Sequence, residues 1–166
     1  MFKIFSTISL ALTLSGCVAV PTYSPVAASL IPFDEAAHQS YEGVGTGSIT
    51  GQAFLRQKGG GVVTCAGSPV IIVPGTAYFR RVMEAARSGA IGQIDPAARA
   101  LAKQTMCDAQ GNFTATGLRG GDWLVTTSVQ WSVGYAQQGG GLLKDVMVED
   151  GKQAAVLLTD ADFYAR

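Results

Sequence analysis

Residues 123–133 alternate without a break. Trp123, Val125, Thr127, Val129, Trp131 and Val133 fall on one side, and Leu124, Thr126, Ser128, Gln130 and Ser132 on the other. Period-two alternation of this length predicts a β-strand with one face on a core, which makes both tryptophans core residues. Turn chemistry brackets it: Asp108, Gly111 and Asn112 upstream, then Gly120-Gly121-Asp122. Between these turns, residues 112–118 form a short strand. Residues 48–57 give another, with Ile49, Gly51, Ala53 and Leu55 opposite Thr50, Gln52, Phe54 and Arg56. Lys58-Gly59-Gly60-Gly61 closes it as a loop, and residues 62–65 are a short strand or edge. Residues 69–74 are continuously apolar between Pro69 and Pro74, the pattern of a strand buried on both faces. Residues 134–141, with the triplet Gly139-Gly140-Gly141, are expected to be a loop. Residues 141–149 and 152–159 are then a hairpin across Glu149-Asp150-Gly151. The expected fold is all-β: about seven strands in an antiparallel sandwich.

The period changes once. Phe79, Val82, Met83 and Ala86 stand at i, i+3, i+4 and i+7, so residues 79–87 are read as a helix, with Arg80 and Glu84 paired on its other side. Gly89 and Gly92 stop it. Asp95-Pro96 is an N-cap followed by Pro at the first helical position, and opens a short Ala-rich helix over 97–103. Residues 79–105 are thus a two-helix insertion lying on one side or end of the sandwich. Residues 18–47, with Pro21, Pro25 and Pro32, have no sustained period and read as an extended tether, with a short helix possible at 33–39.

The start of the chain reads as an export signal: Lys3, then an apolar core over 4–14. That core is too short to span a bilayer, which takes about 20 apolar residues. Leu14-Ser15-Gly16-Cys17 resembles a bacterial lipobox, and the resemblance implies a lipidated Cys17 as the first mature residue. Two or more acyl chains anchor stably where one does not. Val18, rather than Asp, implies by the same resemblance the outer membrane, with the domain facing the periplasm or the cell surface. The expected division is a signal peptide at 1–16, lipidated Cys17 and flexible tether at 17–46, the sandwich at 47–160 and a tail at 161–166.

Residues 108–125, Asp-Ala-Gln-Gly-Asn-Phe-Thr-Ala-Thr-Gly-Leu-Arg-Gly-Gly-Asp-Trp-Leu-Val, resemble the D-x-x-G-x-F-x-x-x-x-L-x-x-G-x-[YW]-x-V signature of carboxypeptidase-regulatory-like domains. Residues 47–53 are similar to that family's first strand and residues 66–74 to its second. The resemblance spans 47–159 and implies a transthyretin-type β-sandwich. The insertion at 79–105 departs from the family pattern. So does the end of the chain, Asp-Phe-Tyr-Ala-Arg, which differs from the Tyr-Arg-Gly-Ser of related hydrolases; no active site is carried over.

Twelve basic and twelve acidic residues cancel, which argues against a nucleic-acid footprint. With Cys17 assigned to lipid, Cys65 and Cys107 remain. In an exported chain they are expected to form a disulfide that closes the loop carrying both helices, with two buried free thiols as the competing reading. His38 is the only histidine and falls in the tether, where it reads as solvated, so neither a Ser-His-Asp triad nor a histidine zinc site is expected. The glycine triplets lack the Lys-Ser/Thr of a phosphate loop. Asp108, Asp122, Asp145, Glu149, Asp150, Asp160 and Asp162 read as turn residues rather than a Ca²⁺ site. Tyr135 with Gln137 and Gln138 is a candidate surface contact. The function expected is a non-catalytic binding or scaffolding module of the envelope, without cofactor or metal, whose partner is a protein or a glycan. Two alternatives stand beside it: a hydrolase using Glu84 and Asp95, and a purely structural envelope protein.

Overall fold

The structure, a computed structural model, describes residues 32–165 apart from residue 91. The signal peptide and Cys17 lie outside the described residues. Among the described residues nine strands, β1 (Gly47–Arg56), β2 (Val62–Thr64), β3 (Pro69–Pro74), β4 (Lys103–Met106), β5 (Asn112–Leu118), β6 (Gly121–Val133), β7 (Ala136–Val148), β8 (Gln153–Leu158) and β9 (Phe163–Ala165), form two sheets. In the first sheet β1 is central. Ala53 donates to the Gly111 carbonyl and accepts from Cys65 N–H, so β5 and β2 follow one another along one edge of β1. β8 takes the other edge. The second sheet runs β4-β3-β6-β7-β9.

The inward residues follow the period-two reading. Ile49, Ala53, Leu55, Phe113, Leu118, Trp123, Val125, Val129, Leu142 and Leu158 are buried in one core between the sheets. Trp123 is fully buried, with its indole N–H donating to the Arg119 carbonyl, while Trp131 is half-buried against the same core.

Three expectations change. Residues 141–149 and 152–159 do not form a hairpin. β7 has β6 on one side and β9 on the other, and the turn at Glu149–Lys152 carries the chain across to the first sheet, where β8 pairs with β1 in parallel. The sandwich is therefore antiparallel except for this one pairing. Of the expected loop over 134–141, only Gly134 and Tyr135 are turn, and residues 136–141, with the glycine triplet, are strand: β6 and β7 stay paired from Gly121↔Val148 to Val133↔Ala136. The glycines serve a close approach rather than a turn. At Gly139, with φ +86°, a Cβ would sit 2.1 Å from the Val129 carbonyl oxygen. Finally, the second helix stops at Leu101, because residues 103–106 pair with β3 as β4.

Helices α2 (Ala77–Arg87) and α3 (Pro96–Leu101) form a third layer. Tyr78, Phe79, Val82, Ala98 and Leu101 bury themselves against Val73 and Leu124 on the outer face of the second sheet. Burial of each large side chain here contributes roughly 1.5–3 kcal/mol. This layer explains why the run at 69–74 is apolar on both faces. α2 ends in a Schellman motif: Gly89 N–H donates to the Ala86 carbonyl, Ala90 N–H to the Ala85 carbonyl, and Gly89 has φ +70°. Asp95 caps α3 through Ala97 N–H at 2.8 Å. Arg80 pairs with Asp145 of β7, whereas the sequence pointed to Glu84.

The expected tether is packed in its later part. Helix α1 (Glu35–His38), a 3-10 turn at Gln39–Tyr41 and the following residues lie on the sandwich. Tyr41 meets Trp123 edge-on at 5.3 Å, and Arg119 Nε donates to the Glu42 carbonyl. His38 is corrected from solvated to buried, at 3% exposure. Its Nδ1 lies 2.7 Å from the Asp34 carbonyl, which only accepts, so Nδ1 carries the hydrogen. Nε2 then accepts from the Thr76 hydroxyl at 2.7 Å. That bond takes the hydroxyl of the residue at the N-cap of α2 away from the helix itself.

Candidate functional site

On the outer face of the second sheet, α2 and β9 border an open groove of about 200 Å³. Leu124 and Leu143 form its floor. Arg80, Met83, Glu84 and Arg87 come from α2, and Tyr164 stands on the β9 side. The Tyr164 ring lies on Gly141: a Cβ at Gly141 would fall 2.7 Å from the ring. The glycine is what lets the aromatic settle flat against the strand. Arg80 is bonded to Asp145 at the groove, and that bond raises the guanidinium above its ordinary pKa.

Past the groove, the same face is a shelf without charge. Ser128, Gln130 and Ser132 of β6 stand opposite Gly141, Gly139 and Gln137 of β7. Ser132 Oγ donates to Gln137 Oε1 at 3.1 Å, and Gln137 Nε2 donates to Gln130 Oε1 at 3.3 Å. The Gln130 amide nitrogen is left to donate outward. Closed small-molecule pockets hold about 300–1,000 Å³. A groove of this size, opening onto a shelf, suits one unit of an extended ligand rather than a whole enclosed molecule. Its chemistry is an aromatic face, planar groups able to bond in pairs, and neutral amides and hydroxyls.

The residues singled out from sequence are placed as follows. Cys65 and Cys107 form a disulfide, with Cα atoms 5.8 Å apart. Cys65 follows β2 in the first sheet and Cys107 follows β4 in the second, where Gly67 N–H donates to the Cys107 carbonyl. The bridge thus joins two sheet-to-sheet crossings inside the core, beyond closing the loop that carries the helices. Glu84 and Asp95 are not brought together. Glu84 lines the groove, while Asp95 lines a second recess of about 300 Å³ with Phe33, Tyr78 and Gln93. Among the described residues no three His, Cys, Asp or Glu side chains cluster to hold a metal. The acidic residues have structural partners instead: Asp108 with Gln110 and Asn112, Asp150 with Gly120, Asp160 with Arg56, and Asp162 with Thr159 and Lys144. Tyr135 is fully exposed at the tip of the β6–β7 ribbon. Tyr164 was missed because residues 161–166 read as a tail. The available signal was Phe163-Tyr164, an aromatic pair where a solvated tail would be polar.

No protein-family model matches the sequence, and no curated protein matches it either. Among solved structures, the chain is similar to a crystal structure from Pseudomonas aeruginosa, described provisionally as a carbohydrate binding protein. The TM-score is 0.68 at 22% identity, covering 78% of this chain and 99% of that one. The likeness shows the fold: an all-β sandwich with a small helical insertion.

Proposed function

We propose that this chain is a non-catalytic glycan-binding module of the bacterial cell envelope. We further propose that it is a carboxypeptidase-regulatory-like sandwich, exported by residues 1–16 and held at the outer membrane by lipid on Cys17. The observation that carries the ligand reading is Tyr164 lying on Gly141 at the end of a groove lined by Arg80, Glu84 and Arg87. Tyr164 is half-buried, and the open part of such a ring can pack on the C–H face of a sugar, while a guanidinium or carboxylate bonds adjacent hydroxyls in pairs. The amides and hydroxyls of the shelf continue that chemistry to neighbouring sugar units. The similar protein described as carbohydrate binding agrees with this reading. The separation of Glu84 from Asp95 deprives the hydrolase alternative of the acidic pair it would use. The anchor reading is supported by Lys3, the apolar core at 4–14 and Leu14-Ser15-Gly16-Cys17.

Calorimetric titration of the lipid-free domain with soluble oligosaccharides from bacterial envelopes tests it. At least one is expected to bind, and Tyr164→Ala is expected to weaken it about tenfold or more, with the melting temperature little changed. Absence of binding across the panel at millimolar sugar would sink the ligand reading. Hydrolysis of any panel member by the purified domain would replace it with the enzymatic one.

A further inference from the structure

The outer face of the first sheet has a composition unusual for a solvated surface. Its outward positions are Ser48, Thr50 and Gln52 on β1, Asn112, Thr114 and Thr116 on β5, and Gln153, Ala155 and Leu157 on β8. The register aligns them in rows: Ser48 with Thr116 and Gln153, Thr50 with Thr114 and Ala155, Gln52 with Asn112 and Leu157. The six flanking positions are exposed and the three on central β1 are half-exposed. None of the nine is charged. Formal charge comes near only at the margin, where Asp108 holds the Asn112 side chain and where β1 ends at Arg56. Soluble surfaces ordinarily carry about 25–35% charged residues. This face is instead a lattice of hydroxyls and carboxamides, spaced about 6.8 Å along each strand and about 4.8 Å between strands.

The composition narrows the partner. With Arg56 at one end as its one cation, the face lacks the cluster of Lys and Arg that binds a polyanion or an anionic membrane surface. Its nine positions hold no Trp, Tyr or Arg, the residues that anchor protein interfaces; Phe54 and Arg56 follow on the same side only at the β2 end. Hydroxyls and amides that both donate and accept, with the apolar patches of Ala155 and Leu157, match an uncharged chain of sugar rings. We propose that this face binds a neutral polysaccharide laid flat along the strands, as a second contact on the side of the sandwich opposite the groove. The inference rests on the glycan-binding reading and extends it from a single sugar unit to a polymer.

The test is co-sedimentation of the lipid-free domain with insoluble cellulose, chitin and a mixed-linkage β-glucan, alongside titration with the soluble oligosaccharides. Two face variants are used. Thr50→Val/Thr114→Val/Thr116→Val removes three hydroxyls with no loss of strand propensity. Thr114→Glu/Thr116→Glu adds charge on exposed positions, and circular dichroism checks the fold of both. Wild type is expected to sediment with at least one neutral polymer. Both variants are expected to lose tenfold or more of that binding while keeping the Tyr164-dependent binding of soluble sugar. Unchanged polymer binding by the variants, or no polymer binding by wild type, overturns the face and leaves the groove standing. A wild-type dimer in analytical ultracentrifugation that the variants convert to monomer also overturns it, because the face would then join two copies of this chain. Loss of soluble-sugar binding in wild type would instead strike the groove reading.

Discussion

Asp108 organises the turn ahead of β5 almost alone. Its carboxylate accepts from Asn112 N–H at 2.8 Å, from Gln110 N–H at 2.9 Å and from the Asn112 side-chain amide. Those bonds, the Asn112 backbone foremost, hold its pKa below the ordinary Asp value. A carboxyl whose pKa is lowered by folding stabilises the fold above its unfolded pKa, about 3.9, and loses that contribution as pH falls through the depressed folded value. Asp108→Ala is therefore expected to lower the melting temperature at pH 7, and the gap to wild type should narrow steadily below about pH 4. Thermal melts from pH 7 to pH 2.5 check this; a gap constant with pH would mean that the charge plays no part. This turn was legible because its chemistry is local: Asp, Gly and Asn within five positions. His38 was not, because beyond the nearby Phe33 ring and Asp34 carbonyl the groups that bury it are distant. Thr76 is 38 positions away, and the rings of Tyr78 and Phe79 close on His38 from α2. In the sequence, a lone histidine among prolines and small residues carries no sign of such a pocket. Tyr164 has the same limitation, since its seat is a missing side chain at Gly141, 23 positions earlier.

At the scale of elements, alternation and turn chemistry located β1, β5 and β6 close to their observed bounds, the continuous apolar run located β3, and the i, i+3, i+4 spacing located α2. What it could not supply was pairing. A strand followed by Glu-Asp-Gly and a second strand looks like a hairpin, and only the occupancy of both edges of β7 sends β8 to the other sheet. The glycine triplet misled for a related reason: glycine in isolation signals a turn, but Gly139 and Gly141 make room for the Val129 backbone and for a ring. The disulfide acts at this scale too. It closes a loop across a sequence separation of 42 residues, for which loop-closure entropy gives about 4 kcal/mol as an upper figure. Because Cys65 and Cys107 also sit in the inter-sheet core, the double variant Cys65→Ala/Cys107→Ala should lose most of that in urea unfolding, by about 3–4 kcal/mol. The soluble-sugar affinity of whatever fraction remains folded should be unchanged, since the groove lies on the far side of the second sheet. A loss under about 1 kcal/mol would show that the bridge is incidental to stability.

At the scale of the whole molecule, one edge where a partner strand might have added, that of β8, is covered. Lys144 reaches from β7 to the Leu157 carbonyl on the outer edge of β8 at 2.9 Å and pairs with Asp162, and the chain then crosses to β9. A charged side chain turned onto an edge is a common protection against strand addition. Strand addition at β8 is thereby disfavoured, and the groove and the sheet faces are the surfaces proposed for a ligand. The proposed lipid anchor is tested at the same scale. The 14 residues at 18–31 between Cys17 and the described domain give a reach of at most about 50 Å. If lipid on Cys17 provides the hold, Cys17→Ala expressed in a Gram-negative host should move from the membrane pellet to the soluble periplasmic fraction. High salt should not release the wild type while detergent should, because a chain with no net charge has little electrostatic attraction to lose. A sugar-binding domain introduces one confound: affinity for envelope glycan could retain the variant after the lipid is gone. Cys17→Ala/Tyr164→Ala separates the two. Release of the double variant alone would mean that glycan, not lipid, dominates retention; membrane retention of both variants would remove Cys17 as the anchor and require another attachment.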